Sequence, residues 1–145
     1  MKIEDLSLFL TKVSLFKGLN PDKIAKCLTE ADFKIKEYKK NDIIIAENTK
    51  IEYFGIITDG RITVSNFDYF GNRNILNVFE KGDSFAEALV SLQIQIPHEI
   101  VSLTNSSIIW IEYKSLSKSQ YYQKIINNFL TIVSTKNLIL NKKLH

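Results

Sequence analysis

The sequence predicts an α+β protein, mainly β, with helices at both ends of an eight-stranded jelly roll or barrel. Three observations predict it. Short β-branched and aromatic runs recur from about Phe33 to Ile111, punctuated by Asp59-Gly60, Phe70-Gly71-Asn72 and Asn105-Ser106-Ser107. Ahead of them, Asn20-Pro21-Asp22 is a strong helix start. Behind them, apolar residues from Ile126 to Leu144 fall at helical spacing.

The N-terminal zone holds helices. Asn20 suits the cap, Pro21 the first helical position, and Asp22 the positive end of the helix. Ile24, Cys27 and Leu28 follow at a spacing that turns them inward. Cys27 reads as small core filler.

In the strand zone, Phe33-Ile35 alternates and Ile43-Ile44-Ile45 is β-branched. Tyr53 to Thr58 runs into Asp59-Gly60, which with Arg61-Ile62-Thr63-Val64 reads as a hairpin. Ile75 to Phe79, Ile100 to Leu103 and Ile108 to Ile111 supply later strands. Lys34, Lys36, Lys39 and Lys40 read as a solvated face, as do Lys142 and Lys143.

The last segment is a helix with two apolar stripes. Ile126, Leu130, Val133, Asn137, Leu140 and Leu144 are spaced 4, 3, 4, 3, 4, a coiled-coil seam in which a polar Asn137 would fix register. Ile125, Phe129, Ile132 and Ile139 form an adjacent stripe that could lie on the chain's own barrel. Two stripes need two partners, and the seam predicts a homodimer.

Bulk properties narrow the class. The 145 residues suffice for one core of ordinary size, and the net charge of +3 gives no strong basic face for nucleic acid. No apolar run approaches the roughly 20 residues of a membrane span, and Met1-Lys2-Ile3-Glu4-Asp5 is no signal peptide. One cysteine excludes an internal disulfide and an all-cysteine iron–sulfur site. These features point to a cytoplasmic protein without a membrane partner.

The run Gly82-Asp83-Ser84-Phe85-Ala86-Glu87-Ala88-Leu89 carries the chemistry. A turn opening onto one helical turn exposes backbone N–H groups that suit an anion, beside a carboxylate that can accept from hydroxyls. This run resembles the phosphate-binding cassette of cyclic-nucleotide-binding domains, in the form carried by CRP/FNR-type bacterial transcription regulators. The resemblance extends from about Ser14 to His145 and includes Ser14-Leu15-Phe16-Lys17-Gly18-Leu19. Gly60, Gly71 and Gly82 stand where the family has glycine. Asn48 replaces a glycine, but asparagine tolerates the left-handed backbone.

The resemblance implies an eight-stranded double-stranded β-helix and a C-terminal dimerisation helix. It divides the chain into a sensor domain over residues 1–116 and a helix over 117–145. The implied effector pocket comprises Gly82, Phe85, Ala86, Glu87, Ala88, Ile96 and His98. Phe85 would anchor the cassette, and Ala86 sits where glycine is frequent. Glu87 would contact a ribose hydroxyl or else hold the loop.

Family members that bind cyclic AMP place an arginine before the next strand. Here the segment reads Ile94-Gln95-Ile96-Pro97-His98-Glu99-Ile100-Val101, and that place falls to Ile96 or His98 according to alignment. Neither is a two-pronged cationic donor, and Glu99 stands close in sequence, so cyclic AMP should bind weakly or not at all.

The expected protein is the effector-sensing and dimerisation domain of a CRP/FNR-like regulator with an unknown small-molecule effector. The chain stops at His145, and a helix-turn-helix would need further residues; DNA would be reached only through a domain not present here. A stand-alone module and a ligand-free dimerisation domain are the alternatives. A cupin-type enzyme would need a histidine-based metal set; His98 and His145 do not make one, so no catalytic residue, metal or cofactor is expected.

Overall fold

A computed structural model describes the backbone of residues 2–144 and the side chains of residues 2–136. The chain divides into two units. One joins residues 1–32 to 114–145, and the other is Phe33–Tyr113. The N-terminal helices thus group with the C-terminal helix.

In the helical unit, α1 spans Ile3–Leu10 and α2 spans Pro21–Glu30, with 3₁₀ turns over Ser14–Phe16 and Lys114–Lys118. Helix α2 begins as its sequence dictates: the Asn20 side-chain oxygen accepts from the Lys23 N–H at 2.9 Å. Ile24, Cys27 and Leu28 are buried on its inner face. Burial raises the Cys27 pKa above its ordinary value.

Helix α4 runs from Tyr122 to Leu144. Ile125 and Phe129 are fully buried. The Asn128 amide donates to the Leu15 and Lys17 carbonyls at 2.9 and 3.0 Å, pinning the helix along the first 3₁₀ turn. Ile126 and Val133 are half-buried, while Leu130 is 54% exposed. The side chains of Asn137, Ile139, Leu140 and Leu144 lie outside the described residues.

The β unit carries β1 (Phe33–Tyr38), β2 (Ile43–Ile45), β3 (Tyr53–Asp59), β4 (Arg61–Phe67), β5 (Arg73–Glu80), β6 (Ser84–Phe85), β7 (Glu99–Ser102) and β8 (Ser106–Glu112), with α3 (Glu87–Leu92) between β6 and β7. They form two antiparallel four-stranded sheets, ordered β1-β8-β3-β6 and β2-β7-β4-β5. Residues of both sheets meet in one core built from Tyr38, Ile45, Ile57, Ile62, Phe85 and Trp110, among others. The apolar runs 54–57 and 108–111 are buried at every position that has a side chain, which is why they read as continuous rather than alternating.

The Asp59-Gly60 turn is not a hairpin, contrary to the expectation from its dipeptide. β3 pairs with β6 and β8, whereas β4 pairs with β5 and β7, so this turn carries the chain from one sheet to the other. Gly60 has φ +89°, and a Cβ there would strike Ser106 and the Asn105 carbonyl. Turn chemistry specifies the reversal, not the partner. The β4–β5 connection is a hairpin, closed by Asp68, whose carboxylate accepts from the Phe70 and Asn72 N–H groups.

In β1, Phe33 is half-buried and Ile35 exposed, while Lys34 and Lys36 share the face of buried Tyr38.

Candidate functional site

The Gly82–Leu89 run is held at its start by a closed turn. Gly82, at φ +92°, donates to the Ile57 carbonyl at 2.8 Å. The Asp83 carboxylate accepts from the Glu80 N–H at 2.9 Å. The chain then adds β6 to β3 at Gly55 and Ile56.

Phe85 anchors the run. It is fully buried, with its ring edge-on to Trp110 at 5.3 Å between centroids and tilted against Phe79 at 6.3 Å. Gly55 makes this seat possible, because a Cβ there would fall on the Phe85 ring. The signal was available in the sequence: an isolated glycine in a β-branched strand marks a close approach.

After Phe85 the backbone turns left-handed at Ala86, φ 69° and ψ 15°, and enters α3. That conformation costs a residue with a Cβ about 1 kcal/mol or more. The turn buries Glu87 as the first helical residue, 2% exposed, and the opening N–H groups of α3 have no partner within the helix. Ala88 is half-buried beside it.

Downstream, the two candidates for the cation position differ sharply. Ile96 is 4% exposed and belongs to the barrel core. Its N–H donates to the Thr49 carbonyl at 3.2 Å, and its carbonyl accepts from Asn48 at 2.7 Å. Asn48 has φ +65°, so asparagine does adopt the left-handed turn there. His98 is half-buried, with Nδ1 out of reach of solvent and of any hydrogen-bond partner; the Asn66 side-chain oxygen is in the same condition.

Glu99 is not an isolated negative charge. Its carboxylate accepts from Arg73 at 3.2 Å, a pairing between β7 and the start of β5 that sequence order hides. The arginine is thereby engaged with a protein carboxylate. Among the described residues no three His, Cys, Asp or Glu side chains are grouped to hold a metal, and no helix is long and apolar enough to cross a membrane. The run thus brings a buried Glu87 to the start of α3, while Ile96 lies in the barrel core and His98 is half-buried.

A family model described as "Cyclic nucleotide-binding domain" matches residues 35–119. The sensor domain of the transcriptional regulator DNR from Pseudomonas aeruginosa superposes with a TM-score of 0.72 at 16% identity, covering 100% of this chain and 93% of that one. The Thermus thermophilus Catabolite Activator Protein gives 0.78 at 14% identity, over 90% of this chain and 61% of that one. The regulatory subunit of a cAMP-independent protein kinase A from Trypanosoma brucei gives 0.73 at 18%, over 99% and 52%. At such identities the likeness is one of fold. No curated protein sequence matches significantly.

Proposed function

The chain belongs to the cyclic nucleotide-binding domain family, and on that premise we propose that it is the effector-sensing and dimerisation module of a CRP/FNR-like bacterial transcription regulator that does not respond to cyclic AMP. One observation carries the second half of this reading. Where a cyclic phosphate would need a fixed cation, the chain has a core isoleucine and a half-buried histidine, and Arg73 is bound to Glu99. A buried anion without a counter-charge is costly.

The module would work as a cytoplasmic homodimer and reach DNA through a domain outside this chain. A small effector resting on the cassette would shift the paired α4 helices. Leu130, exposed on the seam beside half-buried Ile126 and Val133, supports the pairing. The unpaired Nδ1 of His98 suits an uncharged effector better than a phosphate.

Two measurements test the reading. Calorimetric titration with cyclic AMP should show no binding at micromolar concentrations. Sedimentation should show a dimer that Leu130→Asp converts to monomer. A micromolar constant for cyclic AMP would refute the ligand half, and a wild-type monomer at high concentration the dimer half.

A further inference from the structure

Away from the cassette, one open cavity gathers positive charge along an edge strand. Lys34, Lys36 and Tyr38 occupy alternate positions of β1, an edge strand. Across the ladder, Lys34 faces Trp110 and Lys36 faces Ile108, both members of the barrel core. Both lysines are exposed to solvent, while Tyr38 on the same face is buried.

Both ammonium groups are set on aromatic faces. Lys34 Nζ lies 4.6 Å from the Tyr53 ring centroid and Lys36 Nζ 5.3 Å from that of Tyr38. With Lys50 they surround a cavity of about 520 Å³ whose apolar lining includes Ile45 and Ile51. Glu52 is the single carboxylate on its wall. The Arg73–Glu99 and Lys118–Asp32 ion pairs include none of these lysines. Three cations facing one acid repel one another, and a bound anion removes that repulsion.

We propose that this cavity binds a phosphate-bearing small molecule of mononucleotide size. Its dianionic phosphate sits among the three ammonium groups and its planar body rests on Ile51 and Tyr53. Lysines supply point charges suited to a phosphate, and the ring contacts hold two of them in place before the ligand arrives. The volume lies within the roughly 300–1,000 Å³ of small-molecule sites. None of the lining residues belongs to the cassette, so the site stands independently of the effector reading.

The molecule carries its own reporter. Trp110, the one tryptophan of the chain, lies on the cavity wall. Its indole N–H donates to the Tyr38 hydroxyl at 3.1 Å, and its ring meets Phe85.

The test is a fluorescence titration of the full chain with 5′-AMP, inorganic phosphate and adenosine. A saturable change in Trp110 emission is expected with AMP, a weaker one with inorganic phosphate, and none with adenosine. Raising salt from about 50 to 500 mM should weaken AMP binding about five-fold or more. Lys36→Gln should weaken it about ten-fold, and Lys40→Gln, beyond the end of β1, should leave it unchanged. Lys34→Gln and Lys50→Gln repeat the test should Lys36→Gln aggregate. Failure of AMP to saturate the signal, equal response to adenosine, or unchanged affinity in all three variants overturns the proposal. Variants that aggregate but titrate like wild type would mean that the lysines only guard an edge strand. Binding lost in Glu87→Ala but retained in Lys36→Gln would move AMP to the cassette and overturn it equally.

Discussion

Replacing Gly55 with alanine should loosen the cassette through a single collision. The new Cβ would lie 2.5 Å from Phe85 Cε1 and 3.1 Å from Ile108 Cγ2. Carbon atoms rest about 3.5–4.0 Å apart, so the ring must retreat by roughly 1 Å. Its retreat is blocked by Trp110, whose ring centroid is 5.3 Å away. Overpacking of this kind costs about 1–3 kcal/mol, and alanine regains about 0.5–1 kcal/mol over glycine within a strand. The net expectation is a loss of about 0.5–2 kcal/mol, read as a lower urea midpoint at unchanged slope. Phe85→Leu removes the colliding ring. Alone it should cost about 1–2 kcal/mol, and combined with Gly55→Ala it should erase most of the alanine penalty, a coupling of about 1 kcal/mol. Additivity within about 0.5 kcal/mol would refute the steric account. So would an alanine variant as stable as wild type.

Other outcomes follow from the same geometry. Ala86→Gly should stabilise the protein by about 0.5–1 kcal/mol in urea unfolding, because glycine relieves the left-handed strain while adding chain entropy to the unfolded state. Ile96→Arg should destabilise by about 3 kcal/mol or more, since it buries a charge in the core, whereas His98→Arg should stay folded and gain measurable cyclic AMP affinity by calorimetry. For Cys27 the folded pKa lies above the ordinary thiol value of 9.0, with desolvation the main cause. The stabilisation from keeping the thiol protonated is therefore complete below about pH 9 and is lost as pH rises through the folded value. Thermal melts should show a decline above pH 9 that Cys27→Ala reduces, and iodoacetamide at pH 8 should label the thiol only after unfolding.

Much of the local structure was legible because local chemistry decides it. Asn20-Pro21-Asp22 set the start of α2, and the β-branched runs marked most strands. The short β6 was hidden, because Ser84-Phe85 is too brief to show a period and pairs through Gly55. Asp59-Gly60 misled for a related reason: the dipeptide encodes a reversal, while sheet membership depends on strands far away in sequence. In β1, Lys34 and Lys36 are exposed, as their charge implies, while their seats over the Tyr53 and Tyr38 rings depend on a partner far away in sequence for Lys34 and only on the strand alternation for Lys36. At the site, the Gly82–Glu87 run was readable as a turn entering a helix. The pairing of Arg73 with Glu99 was not, since nothing at positions 73 or 99 announces that their strands flank β4. The seam remained a matter of spacing, with Leu130 its most exposed described member.

The sheet order has a consequence for synthesis. Phe33 meets Ile111 and Tyr38 meets Ser106, so the first strand to leave the ribosome must wait for the last before it has a neighbour. Until then β1 offers bare amide and carbonyl groups to any passing extended segment. Closing so distant a contact exacts loop entropy before it returns any bonding, which makes a late, slow-maturing nascent chain. A translation pause while β8 is still inside the ribosome would therefore prolong the aggregation-prone interval, while the same pause after β8 has emerged would be harmless.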